Sequence, residues 1–235
     1  CIEKTVDCND DGEFLDEDTG YAGDTAHWKV VVTNTGDCPV TNIVVTDTNG
    51  HGFGLPFDLL NNGDFVEFNY DTTVNVDTTN TATAVGEDGI GGTVGPVSDS
   101  ATNLVITPNT MVTITPYVWE TFPGGCNVIL TITEENKGNC DLTSPSVDLY
   151  DGTSTVSYDN TSPEFVAASD TDGDGELDVS DIWEWSVTRT ISTTTTFVVT
   201  GHGFDPLGKD ITYDEYPNEQ AEATVEVGEA TRTLG

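Results

Sequence analysis

The sequence is nearly devoid of positive charge. Six Lys and Arg stand against 42 Asp and Glu in 235 residues, for a formal net charge of −36. A nucleic-acid partner is excluded on that ground, because gripping phosphates takes clustered Lys and Arg. Anionic membrane surfaces should repel the chain as well. No apolar run is long enough to span a bilayer. Apolar residues do not recur at helical spacing, which argues against a helical core. The G-x-S-x-G elbow, H-E-x-x-H, P-loop and dinucleotide fingerprints are all missing. Nothing singles out one carboxylate pair for glycoside hydrolysis, so no catalytic residue is assigned.

Cysteine is sparse and odd in number: Cys1, Cys8, Cys38, Cys126 and Cys140. No C-x-x-C pair occurs, which sets aside zinc ribbons and thioredoxin-type sites. Disulfides in an oxidising compartment are the expectation, with one thiol left over or bridged to another chain. The opening Cys1-Ile2-Glu3-Lys4 reads as a mature chain whose leader has been removed, with lipid attachment at Cys1 as the lesser alternative. Of the three histidines, His51 and His202 sit in the tetrapeptide GHGF, which reads as a Gly-rich turn with an aromatic anchor. Asn160-Thr161-Ser162 is the one glycosylation sequon, weakened by Pro163 after it.

What the chain has in quantity is Thr, Val, Gly and Asp, arranged with a period of two. Ala26, Trp28, Val30 and Val32 alternate with polar residues. So do Val66, Phe68 and Tyr70; Val128, Leu130 and Ile132; and Trp183, Trp185 and Val187. This pattern makes sheets with one buried face, and it places Trp28, Trp183 and Trp185 in cores. Trp119 is less patterned and is expected at the surface. VVVTNTGDCPVTN (Val30–Asn42) is echoed by LTITEENKGNCDLTS (Leu130–Ser144), so that Cys38 and Cys140 match. TNTATAVGE (Thr79–Glu87) is echoed by EQAEATVEVGE (Glu219–Glu229). The expected fold is therefore all-β: two tandem immunoglobulin-like β-sandwich domains, residues 1–106 and 107–235, divided near the Pro108-Asn109 turn.

The sharpest local signal lies at residues 170–181. Asp170, Asp172, Asp174, Asp178 and Asp181 take positions 1, 3, 5, 9 and 12 of a calcium loop, with Gly175 at position 6. Ca²⁺ takes six to eight oxygens, and alternate residues of a tight loop can all point inward. Glu176, at position 7, would give its backbone carbonyl, and Asp181 replaces the usual Glu with a shorter side chain. Without flanking helices, this reads as an EF-like loop inserted in the second sandwich. The competing reading is a solvated acidic turn, which would leave five carboxylates repelling one another. A second candidate runs through Asp7, Asn9, Asp11, Gly12, Glu13 and Asp18. There position 9 is Leu15, with Asp16 the substitute, and Cys8 lies inside the loop.

The run KTVDCNDDGEFLDEDTGYAGDTAHWKVVVTNTGDCPVTNIVVTDT, followed by NGDFVEFNYDTTVN and TNTATAVGE, resembles the DUF11-type immunoglobulin-like repeat of bacterial and archaeal surface proteins. DTDGDGELDVSDIWEWSV resembles the acidic loop and Trp-bearing strand of the same repeats. The likeness covers residues 1–106 well and 107–235 loosely. It implies a sandwich fold and an extracellular or cell-surface role, and it implies neither an enzyme nor a fixed ligand.

The second domain reaches the echo strand near Gln220–Val227 with only residues 228–235 to follow, which is short for a final strand. Two readings result. The sandwich is unfinished and a neighbouring copy fills it by β-augmentation, with Ile2–Val6 the candidate donor and a head-to-tail homopolymer the product. Otherwise Ala230–Leu234 forms a short edge strand. The functional expectation is a Ca²⁺-stabilised structural subunit of an extracellular filament, sheath or surface layer. An adhesive or carbohydrate-binding module is the alternative, favoured by an exposed aromatic face near Trp119. An accessory module of a secreted enzyme comes third.

Overall fold

The structure is a computed structural model that describes residues 1–54, 57 and 60–228. The chain divides into two compact units, one spanning Cys1–Ile106 and the other beginning at Thr107. Both are antiparallel immunoglobulin-like β-sandwiches apart from one parallel strand pair. No helix among the described residues is long and apolar enough to cross a membrane.

Unit 1 is built from β1 (Ile2–Asp7), β2 (Glu17–Tyr21), β3 (Thr25–Thr33), β4 (Val40–Asp47), β5 (Phe65–Thr73), β6 (Thr78–Asp88) and β7 (Thr93–Ile106). One sheet has the order β1-β3-β5 and the other β2-β7-β6-β4, with β2 parallel to β7. The alternation seen in the sequence becomes burial: Ala26, Trp28, Val30 and Val32 face Ile43, Val45, Ala82 and Ala84 across the core. One of the few cations is spent inside. Lys4 is fully buried, with Nζ 2.9 Å from Asp47 Oδ2 and donating to the Tyr70 hydroxyl at 2.8 Å. The Tyr70 hydroxyl donates to Asp47 in turn and accepts from Asn80 Nδ2. The pair satisfies itself, as a buried ion pair must.

Unit 2 contains β8 (Thr110–Phe122), β9 (Gly125–Asn136), β10 (Thr143–Tyr150), β11 (Thr155–Tyr158), β12 (Ile182–Ile191), β13 (Thr195–Phe204) and β14 (Gln220–Val225). Its sheets run β12-β9-β8 and β11-β10-β13-β14. Trp183, Trp185, Leu130, Ile132 and Phe197 fill the core.

The repeat runs deeper than the sequence echo. Asn34 Nδ2 donates to Cys38 O and Leu60 O, and its Oδ1 accepts from Gly36 N. Asn136 repeats all three bonds, with Cys140 O, Leu177 O and Gly138 N. Asn34 N donates to Asp64 O as Asn136 N does to Asp181 O. Left-handed backbone recurs at Asn42 and Ser144, and at Gly63 and Ser180. This register fixes the strand correspondence. Val45 pairs with Ala84 where Val147 pairs with Gly201, so β6 corresponds to β13, and β14 to β7.

That correspondence corrects three expectations. The Gln220–Val227 echo of Thr79–Glu87 is not structural equivalence, because small and branched residues alternate in any half-buried strand. Unit 2 has its final strand, β14, paired along β13, and Ala230–Leu234 lies outside the described residues. Ile2–Val6 is seated in its own sheet, Ile2 opposite Val32 through Val6 opposite Trp28. The GHGF at Gly201–Phe204 is the end of β13, whereas His51 in the other copy stacks on Tyr70 from a loop.

No disulfide forms among the five cysteines. Cys126 is the second residue of the 12-residue β9 and Cys140 lies beyond its far end. At about 3.3 Å per residue they stand about 30 Å apart, far outside disulfide reach. Cys8 and Cys38 flank opposite ends of β3 for the same reason. Cys1 and Cys38 border one cleft as exposed thiols.

Candidate metal centre

The acidic loop is tethered at two points. Leu177, at position 8, is fully buried and exchanges backbone bonds with Leu142 (2.9 and 3.1 Å). The loop exit is held by Asp181 O accepting from Asn136 N at 3.0 Å. Ahead of Leu177 the chain turns on Gly173 and Gly175, at φ +80° and +85°. The positive φ at position 175 favours glycine, and a Cβ there would also displace the exposed Asn160 side chain, whose Nδ2 would stand 2.9 Å away. Short local bonds shape the entry, with Asp170 Oδ1 accepting from Gly173 N and Asp174 Oδ1 from Glu176 N.

The result is convergence. Carboxylate oxygens of Asp170, Asp172 and Asp174 lie within 4.8 Å of one another, as do those of Asp174, Glu176 and Asp178. Asp181 closes the loop. Burial raises its pKa first, followed by the charges of Asp172 and Asp170. Asp178 is raised by desolvation and then by Asp141, Asp172, Asp174 and Asp181. Five predicted aspartates thus act on one another's charge, and Glu176 joins Asp174 and Asp178 through its side chain, where the spacing predicts its backbone carbonyl. The donors are all oxygen, which suits a hard divalent cation such as Ca²⁺.

The first loop is placed differently. Asp7 is buried, and its two carboxylate oxygens accept from Asp10 N (2.8 Å) and Gly12 N (3.0 Å). Asn9 accepts from Asp11 N, and Asp11 from Glu13 N. The tight turn forms, but the chain then leaves it. Leu15 bridges to Val6, Asp16 and Glu13 are exposed, and Asp18 enters β2 with Oδ2 on Cys8 N. Among the described residues, Asp7, Asn9, Asp11, Glu13, Asp16 and Asp18 are not brought together as the second set is.

Two further features bear on binding. The edge strand β8 carries Tyr117 and Trp119, 65% and 50% exposed, with Val118 and Phe122 beside them in sequence. A bulge at Trp119 interrupts the β8–β9 register. In unit 1 a cleft of about 520 Å³ is lined by Val32, Val40, Ile43, Leu60, Ala84 and Val97, with Cys1 and Cys38 at its border.

No protein-family model matches the chain, and no curated protein matches it. Similar solved structures include a red sea bream transglutaminase (12% identity, TM-score 0.31, covering 97% of this chain and 31% of that one). Another is the secreted serine protease VesC from Vibrio cholerae (11% identity, TM-score 0.26, covering 88% and 49%). A third is an alpha-L-rhamnosidase from Streptomyces avermitilis (9% identity, TM-score 0.21, covering 97% and 26%). The chain spans between about a quarter and a half of these proteins.

Proposed function

We propose that this chain is a non-enzymatic structural subunit of an extracellular filament, sheath or surface layer, assembled from copies of itself and stiffened by Ca²⁺. The observation that carries the reading is two carboxylate groups, Asp170 with Asp172 and Asp174, and Asp174 with Glu176 and Asp178, on a loop pinned at Leu177 and Asp181. A cation there offsets carboxylate repulsion and couples metal binding to folding. The DUF11-type sequence resemblance points to the same surface role.

The free sheet edges support self-assembly, although not through Ile2–Val6, which is engaged as β1. In unit 1 the outer edge of β7 is covered by the parallel strand β2. The equivalent edge of β14 has no strand partner among the described residues. A strand from a second copy laid along β14 would repeat the β2–β7 pairing and propagate head to tail. Electron microscopy and sedimentation of the purified protein, with calcium and after chelation, test this. Fibres or sheets that shorten or disperse on chelation are expected. A monomer under both conditions, at concentrations up to the millimolar range, would refute it.

The exposed Tyr117 and Trp119 favour a second reading, an adhesive or carbohydrate-binding module, since aromatic faces present both apolar area and polar tips. Glycan-array binding abolished by Trp119→Ala would support it over the first.

A further inference from the structure

The two sandwiches differ at one interior point. Glu134 lies two residues before the Asn136 corner, where unit 1 has Val32 before Asn34. Gly201 pairs with Val147 as Ala84 pairs with Val45. Glu219, one residue ahead of the Thr200–Gln220 pair, stands where unit 1 has Val97, the partner of Ala84. Val32, Ala84 and Val97 line the apolar cleft of unit 1, so the same locus in unit 2 is rebuilt with two carboxylates and a glycine.

Both glutamates are fully buried, and none of their four carboxylate oxygens has a hydrogen-bond partner. They meet over Gly201. A Cβ there would lie 2.1 Å from Glu219 Oε2 and 3.2 Å from Glu134 Oε1, so the glycine makes the space that the oxygens occupy. Asp210 adds a third acid. Its Oδ2 is held by His202 Nδ1 at 3.1 Å, and its Oδ1 is buried without a partner. The Thr110 hydroxyl, directed at Glu219, has no hydrogen bond of acceptable geometry. The indole Nε1 of Trp183, paired with Glu134 across β9 and β12, is likewise buried and unsatisfied. Burial, more than any neighbour, raises the Glu134 pKa and brings that of Glu219 up to about 7. Thr110 and the charge of His202 act favourably on Glu219 but are outweighed by burial, and buried carboxylates left so poorly compensated are among the costliest features a core can hold. A sequence that needed only a sandwich would keep Val and Ala here, as unit 1 does.

We propose that unit 2 encloses a second divalent cation, of the calcium class, held over Gly201 by the carboxylates of Glu134 and Glu219 with Thr110 Oγ1 beside them. Asp210 is a further negative charge acting on both glutamates. The donors are hard oxygens from β8, β9 and the approach to β14. That set suits Ca²⁺ and is poor for the softer metals that seek sulfur or imidazole. His202 holds Asp210 through Nδ1. The ion would clamp β9 to the two last strands across the core, at the end opposite the Cys126 end of β9. None of these residues belongs to the Asp170–Asp181 loop, so this site stands or falls independently of that one.

The test is calcium stoichiometry by mass spectrometry under non-denaturing conditions, on full-length chains. Asp170→Asn/Asp172→Asn/Asp174→Asn, which disables the loop, should retain one bound calcium and still melt at lower temperature after chelation. Glu134→Gln/Glu219→Gln, which keeps shape but removes charge, should lose one calcium relative to wild type and melt higher than wild type in chelator. If the loop variant holds no calcium and the Gln pair changes no stoichiometry, the proposal is overturned. Protons would then neutralise the pair, and lowering the pH from 7 to 5 without calcium would raise the melting temperature. If the loop variant fails to fold, loss of one ion in the Gln pair alone still decides the matter.

Discussion

The paired asparagine corners provide an experiment with its own control. Asn136→Ala removes three side-chain hydrogen bonds, to Cys140 O, Leu177 O and from Gly138 N. At about 1 kcal/mol net for each, unit 2 should lose about 3 kcal/mol. Leu177 O retains Leu142 N as a donor, which keeps the loss from growing further. Asn34→Ala removes the same three bonds from unit 1 and should cost unit 1 a similar amount. The two differ in what hangs on the corner. Asn136 holds Leu177, the inner anchor of the acidic loop, whereas Leu60 in unit 1 anchors no acidic cluster among the described residues. In Asn136→Ala the loop must be ordered at the expense of cation binding, so calcium affinity should fall on the order of tenfold, about 1.4 kcal/mol. Asn34→Ala should leave it unchanged. Urea unfolding followed by tryptophan fluorescence separates the units, because Trp28 is in unit 1 and Trp119, Trp183 and Trp185 are in unit 2. Calcium titration of the folded variants supplies the affinities. Equal calcium affinity in wild type and Asn136→Ala, with unit 2 destabilised as expected, would refute the coupling of corner to loop.

Lys4→Ala leaves Asp47 buried opposite no cation, and unit 1 should lose about 3–5 kcal/mol by chemical denaturation. Lys4→Met with Asp47→Leu should recover much of that loss, since apolar replacement of a whole buried pair is often neutral. In native protein, thiol reagents should modify Cys1 and Cys38 and leave Cys8, Cys126 and Cys140 untouched until denaturant is added. Burial pushes the Cys8 thiol up to about 12 and that of Cys140 up to about 11, and the thiolate is the reacting form.

Fold class and cores were legible because period-two alternation has one physical solution in water. Trp28, Trp183 and Trp185 are all fully buried. The clustering of the acidic loop was legible because its spacing is local, so Asp170, Asp172, Asp174, Glu176 and Asp178, named from spacing alone, come together in two groups along one loop. Spacing failed at Asp7–Asp18, where the same turn forms but Asp18 is drawn into β2 by Cys8 N, a contact set by sheet pairing. Disulfides could not be judged from a cysteine count, because the length of β9 separates Cys126 from Cys140. Gln220–Val227 was misaligned because a weak echo carries no register, whereas the corner bonds of Asn34 and Asn136 do. The interior acids were the deepest miss. Glu134 follows Ile132 in the inward phase of β9 and Glu219 stands alone, so only Gly201 between them reveals the pairing. The signal available in the sequence was a Glu at a core phase of an otherwise apolar strand.

The claim on which the functional account rests is that a cation orders and stiffens the Asp170–Asp181 loop. Hydrogen exchange at the backbone amides of residues 170–181, compared in calcium and in chelator, measures this at the site itself. The account predicts slower exchange with calcium at Gly173, Asp174, Glu176 and Leu177, and little change at the matching corner residues Gly63 and Asp64 of unit 1. Identical exchange across the loop in both conditions would contradict it.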